Sequence, residues 1–133
     1  MCNPVIDKLG ATPAHVQWVV VRGDSASLRV DFLEADEVTH FDTTGWTYKA
    51  TSYDPTGEVL DELQVVSENG YAIINAQASI TAFWGQNYKT VVAELPFDLQ
   101  VRIPGVGNER PTIWTPVIGT ICVLGDVTPG GSL

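Results

Sequence analysis

Trp46-Thr47-Tyr48-Lys49-Ala50-Thr51-Ser52-Tyr53-Asp54-Pro55-Thr56-Gly57-Glu58-Val59-Leu60-Asp61-Glu62-Leu63-Gln64-Val65-Val66-Ser67-Glu68-Asn69-Gly70-Tyr71-Ala72-Ile73-Ile74 reads as strand, turn, strand, turn, strand. Over Trp46–Tyr53, a period of two places Trp46, Tyr48, Ala50 and Ser52 on one face and Thr47, Lys49, Thr51 and Tyr53 on the other. Asp54-Pro55-Thr56-Gly57 has proline second and glycine fourth, as type I turns prefer, so a hairpin follows. Glu58–Val66 is the return strand, and Asn69-Gly70 supplies a second tight turn before the strand beginning at Tyr71.

The same grammar extends in both directions. His15–Val21 is valine-rich and ends at the turn Arg22-Gly23-Asp24. Ser25–Leu33 alternates Ala26, Leu28, Val30 and Phe32 against Ser27, Arg29 and Asp31, a half-buried strand. Glu34–Gly45 is polar and predicts a loop. Between Ala76 and Leu95 the spacing of Ile80, Phe83, Trp84, Tyr88, Val91 and Val92 fits one helical face, so a short helix near Trp84–Glu94 is expected, closed by Pro96. Pro96–Ile103 alternates as a strand, Pro104–Pro111 is a loop, and Thr112–Val123 forms a last strand pair or one long bent strand, with Gly119 a candidate bulge. The expectation is an all-β fold: an antiparallel Ig-like β-sandwich of about seven strands with at most one short helix. It places an N-terminal arm at 1–14, the sandwich at 15–127 and a Gly/Pro-rich, flexible tail at 128–133.

Composition narrows the function. The 133 residues suit one core, and 44% apolar content is enough to build it. Sixteen acidic against seven basic residues give a net charge of −9, and no two basic residues are adjacent. Phosphate backbones and anionic membrane surfaces need clustered positive charge, so neither nucleic acid nor membrane is an expected partner. No apolar run approaches the roughly 20 residues of a spanning helix. The N-terminus lacks the charged and apolar regions of a secretory signal, so synthesis in the cytoplasm is expected.

Candidate chemistry is sparse. Only His15 and His40 could serve a nucleophilic serine, and no Gly-x-Ser-x-Gly elbow is present. Cys2 and Cys122 are expected as free thiols, Cys122 within an apolar run, and the cysteines and histidines do not have metal-ligand spacing. Acidic pairs among Asp31, Glu34, Asp36, Glu37, Asp42, Asp54, Glu58, Asp61 and Glu62 leave a small hydrolase open, although most fall in loops where solvated carboxylates are ordinary. A calcium site in the Asp36–Asp42 loop lacks the spacing of a twelve-residue calcium loop. Arg22-Gly23-Asp24 spells an integrin-attachment tripeptide but is read first as a turn. Trp18, Trp46, Trp84 and Trp114, with Tyr48, Tyr53, Tyr71 and Tyr88, are read as core, with a sugar-stacking platform as the alternative. No catalytic, cofactor-binding or metal-binding residue is assigned.

Four segments carry a resemblance: Val19-Val20-Val21-Arg22-Gly23-Asp24-Ser25; Phe41-Asp42-Thr43-Thr44-Gly45-Trp46-Thr47-Tyr48-Lys49-Ala50; Phe97-Asp98-Leu99-Gln100-Val101; and Gly119-Thr120-Ile121-Cys122-Val123 with Asp126-Val127-Thr128. Together, over residues 16–128, they resemble the small β-sandwich domains of tailed-phage virions, such as the N-terminal domain of baseplate upper proteins and related minor tail or head-associated proteins. In that pattern an Arg-Gly-Asp/Glu turn opens the first hairpin. This chain departs from it with Thr43-Thr44-Gly45 in place of Leu-Thr-Gly. The resemblance implies a non-enzymatic structural protein located in the virion, a minor tail, baseplate-adaptor or head-decoration subunit. Its partners would be other virion proteins, in a homo-oligomer or symmetric array, with contacts on loops, termini and sheet edges. A carbohydrate-binding module is the alternative.

Overall fold

The computed structural model describes residues 5–6, 13–34, 36–84, 92–105 and 107–125. Its strands are β1 (Val5–Ile6), β2 (Ala14–Val21), β3 (Ala26–Phe32), β4 (Thr47–Tyr53), β5 (Val59–Glu68), β6 (Tyr71–Ala76), β7 (Val92–Ile103) and β8 (Thr112–Leu124), with one helical turn, α1 (Ala78–Thr81). The fold is all-β with one short helix, as expected.

Hydrogen bonding runs in the order β1-β3-β6-β5-β4-β7-β8-β2. β5 joins two layers, because Leu63 and the residues before it pair with β4 whereas Gln64–Glu68 pair with β6. One layer is therefore β1-β3-β6-β5 and the other β5-β4-β7-β8-β2, continuous through β5 and open on the side of β1 and β2. The result is a sandwich that is nearly a barrel. The inner ladders are antiparallel, as an Ig-like sandwich requires, and the two outermost, β1–β3 and β2–β8, are parallel. Alternation brings Trp18, Val30, Ile74, Leu95, Leu99 and Ile121 into one shared core. Val5–Ile6, within the expected N-terminal arm, contributes β1; the tail 128–133 lies outside the described residues.

Both predicted hairpin turns form. Asn69-Gly70 links the paired residues Glu68 and Tyr71, with Gly70 at φ 96°. In the other, Asp54 Oδ1 accepts from the Thr56 N–H at 2.9 Å and the Glu58 N–H at 3.0 Å, and Gly57 takes φ 93°.

Four local expectations are corrected. The helix lies at Ala78–Thr81 and not at Trp84–Glu94, of which 85–91 fall outside the described residues and Val92–Glu94 is strand. There the alternation Ala93, Leu95, Phe97, buried between two layers, prevails over a helical spacing that rests on few residues. Pro96 does not interrupt β7. The β4 ladder stops at Ser52↔Phe97, so Pro96 has only β8 beside it among the described residues, and such an edge position tolerates the missing N–H. The bulge sits between Trp114 and Val117, where β8 spends one residue more than β7 spends between Leu99 and Val101. Gly119 serves a different purpose: a Cβ there would stand 1.9 Å from the Val16 carbonyl oxygen, so its lack of a side chain is what lets β2 approach β8.

Finally, Arg22-Gly23-Asp24 does not open a hairpin. It carries the chain from β2 in one layer to β3 in the other and is tied down by the segment after β6. The Arg22 Nε donates to the Trp84 carbonyl at 2.8 Å. The fully buried Thr81 hydroxyl accepts from the Gly23 N–H at 3.1 Å and donates to the Asp24 carbonyl at 2.8 Å. Trp84, also buried, donates from its indole N–H to Asp61 Oδ2 at 3.0 Å on β5. One end of the sandwich is thus closed by a hydrogen-bonded plug.

Two substitutions test these constraints by chemical denaturation. Gly119→Ala forces β2 off β8, and a loss of about 1–3 kcal/mol is expected, the usual cost of overpacking. Thr81→Val keeps the shape but strands two backbone groups, with an expected loss of about 1–3 kcal/mol; unchanged midpoints would contradict the close contact and the plug respectively.

Candidate interaction surface

The outer face of the β5-β4-β7-β8-β2 layer can be built row by row from the register. From β2 across β8 to β7 the rows run His15–Ile118–Asp98, Gln17–Thr120–Pro96 and Val19–Cys122–Glu94, and Val21 lies beside Leu124. Further across, Thr51 stands between Asp98 and Glu62, and Lys49 beside Gln100.

This face is divided by charge. Neither the 8 residues of β2 nor the 13 of β8 include an Asp, Glu, Lys or Arg, although 17% of the chain is charged. The charged part begins at β7, with Glu94, Asp98 and Arg102, and continues through Lys49 and Glu62. On the neutral part Val19 is 48% and Val21 38% exposed, whereas their inward neighbours Trp18 and Val20 are 3% and 2%. β2 is also the last strand of its layer, so on its outer side no described strand pairs with its backbone. Neutral side chains, exposed valines and a free sheet edge therefore coincide on one strand.

At the charged part, the Tyr53 hydroxyl donates to Asp98 Oδ2 at 2.9 Å. Partial burial, with the Asp98 carboxylate adding to it, raises the Tyr53 phenol above its ordinary value. The pair therefore acts as a fixed donor–acceptor unit at neutral pH.

The other singled-out residues are dispersed. His15 is exposed on β2. His40 Nε2 meets Asp31 Oδ1 at 3.2 Å, on the other layer. Asp31 also receives Arg29, whose guanidinium lies 3.9 Å over the Tyr71 ring. The loop carboxylates are engaged by their own turns. Asp36 accepts from the Thr39 hydroxyl and the Val38 and Thr39 N–H groups, Asp42 from the Thr44 hydroxyl and N–H, and Asp54 from Thr56; these bonds hold all three below the ordinary carboxylate value. No group of three or more His, Cys, Asp or Glu able to hold a metal exists among the described residues. Trp18, Trp84 and Trp114 are buried, and Trp46 is half-buried, edge-on to Phe32 and Trp114. Tyr88 lies outside the described residues. Cys122 is a half-buried free thiol, and Cys2 is outside the described residues.

The sequence reading placed contacts on sheet edges but did not single out Val19 or Val21. The available signal was the absence of charge from both 14–21 and 112–124, visible in the string but meaningful only once the two segments are known to be neighbours. No protein-family model and no curated protein sequence matches the chain.

The Tyr53–Asp98 bond sets a pH expectation. A phenol raised above the unfolded value of about 10 contributes stability fully below that pH and loses it as pH rises through the folded value. Phenolate absorbance should show Tyr53 titrating late together with Tyr48, which burial also raises, and Asp98→Asn should bring only the Tyr53 step earlier; an unchanged titration would contradict the pairing.

Proposed function

We propose that the chain is a structural assembly subunit acting through protein–protein contact, and specifically a component of a tailed-phage virion. The observation that carries the contact role is the neutral face of β2 and β8 with the free β2 edge, in a chain of net charge −9. The placement in a virion is supported by the resemblance of the strand and turn segments to small virion sandwich domains. A protein present in many copies benefits from strong net charge for solubility, and it associates where that charge is locally absent. Exposed apolar side chains at a sheet edge are what an isolated domain avoids and what a docked one uses. The reading requires no catalytic group. A sugar-stacking platform would need an open aromatic face, and the four tryptophans are buried or half-buried.

Quantitative mass spectrometry of particles produced from the genome that encodes the chain tests the proposal. The expected result is a defined copy number: hundreds for a head-decoration subunit, or about three to twelve for a tail tip or connector, as closed symmetry implies. Absence from purified particles would overturn the virion role.

A further inference from the structure

We infer that the free edge of β2 pairs with the same edge of a second copy, antiparallel about a two-fold axis, so that two five-stranded layers continue as one sheet. The inference rests on the assembly reading above and names its partner and its interface.

The two terminal strands of the hydrogen-bonded order differ sharply. Among the described residues β1 has 2, too few to template a neighbour, whereas β2 has 8. Edge strands of isolated domains are usually blunted by lysine, proline, a bulge or an inward charge. β2 has none of these: its sequence is Ala-His-Val-Gln-Trp-Val-Val-Val, and its register with β8 runs unbroken from Ala14↔Val117 to Val21↔Leu124.

Charge identifies the occupant. A basic partner would be drawn to the acidic surface of this chain, and β2 offers it no carboxylate. A neutral contact matters most for a partner that is itself acidic, and a second copy carries the same −9. Strands are spaced about 4.8 Å apart, so the nearest acidic strand, β7, stands about 10 Å from β2 and about 15 Å from the second copy's β2. The Debye length at physiological salt is about 8 Å, so the acids of β7 are largely screened from the junction. An antiparallel two-fold pairing is self-complementary: His15, Gln17, Val19 and Val21 meet the same four side chains, and no charge faces a charge. Val19 and Val21 leave water, and backbone groups on the outer side of β2 gain partners.

Sedimentation velocity over a concentration series, with hydrogen exchange on the same samples, tests this. The wild-type chain should dimerise, with protection of alternate β2 amides rising with concentration. Val19→Lys combined with Val21→Lys should raise the dimer Kd by about tenfold or more, the direction expected when like charges are brought together. Far-UV circular dichroism checks that this variant folds, and Val66→Lys, on an exposed β5 site, should leave the dimer intact. The inference is overturned if the wild-type chain stays monomeric at about 100 μM, a concentration at which even a modest interface is populated. It is equally overturned if the dimer forms without protection of β2, a result that needs no variant to fold. A monomer found at defined copy number in particles would defeat the β2 pairing and leave the assembly reading standing; a β2 dimer absent from particles would do the reverse.

Discussion

The close approach of β2 to β8 at Gly119 is the constraint on which the open side of the sandwich depends. The Val16 carbonyl occupies the space that any side chain at Gly119 would fill, so the pairing Val16↔Gly119 is available only to glycine. That contact sits within a parallel ladder of eight residue pairs, and through it Trp18 and Val20 are delivered into the core beside Phe97. Without it β2 would have no described neighbour, because it bonds to β8 alone. The chain thus adds a strand to its long layer by omitting one side chain, and the added strand has no described strand on its outer side.

What holds the far end of β2 is a different kind of interaction. The three-residue crossing at Arg22-Gly23-Asp24 satisfies only part of its backbone locally: the Asp24 N–H donates to the Val21 carbonyl at 3.0 Å and the Arg22 N–H to the Leu124 carbonyl at 2.9 Å, but no hairpin ladder pairs the Gly23 N–H or the Asp24 carbonyl. Thr81 on α1 supplies the missing partners, accepting from the Gly23 N–H and donating to the Asp24 carbonyl, while the Arg22 side chain bonds the Trp84 carbonyl and the Trp84 indole bonds Asp61 on β5. Desolvated backbone groups are costly to leave unpaired, which is why a threonine with no exposure stands at that point. Gly119 and the plug together fix β2 along its length, so that its outward side chains form a defined surface and not a fraying strand.

Much of this was legible in the sequence, and the rest was not for identifiable reasons. Asp54-Pro55-Thr56-Gly57 and Asn69-Gly70 predicted their turns because the turn geometry is dictated by local residues. The alternation in Ser25–Leu33 predicted which side of β3 is buried, because a strand has only two faces. The helix was misplaced because a spacing of three and four over a few residues is also compatible with strand, and only burial between two layers decides it. Gly119 and Arg22-Gly23-Asp24 were read as a bulge and a hairpin turn because their meaning depends on residues 57 or more positions away, or on a parallel partner that no local pattern announces. The neutral face was hidden for the same reason: β2 and β8 lie at opposite ends of the chain.

The distribution of charge then links fold to function. Acidic side chains repel, and a chain that must remain soluble gains by spreading them over every exposed strand. Here β3, β4, β5 and β7 carry charge, while the flanked strand β6 and the two spatial neighbours β2 and β8 carry none. β8 is shielded on both flanks, so its lack of charge follows from its central place in the layer. β2 is not shielded. Valines at 48% and 38% exposure on an unblunted edge would be a hazard in a domain that works alone. The same features become an advantage when the edge is covered in the working state, because burying a neutral, apolar strand requires no charge to be stripped of water. The strand that Gly119 allows into the sheet is therefore also the strand whose chemistry is best suited to meeting another protein.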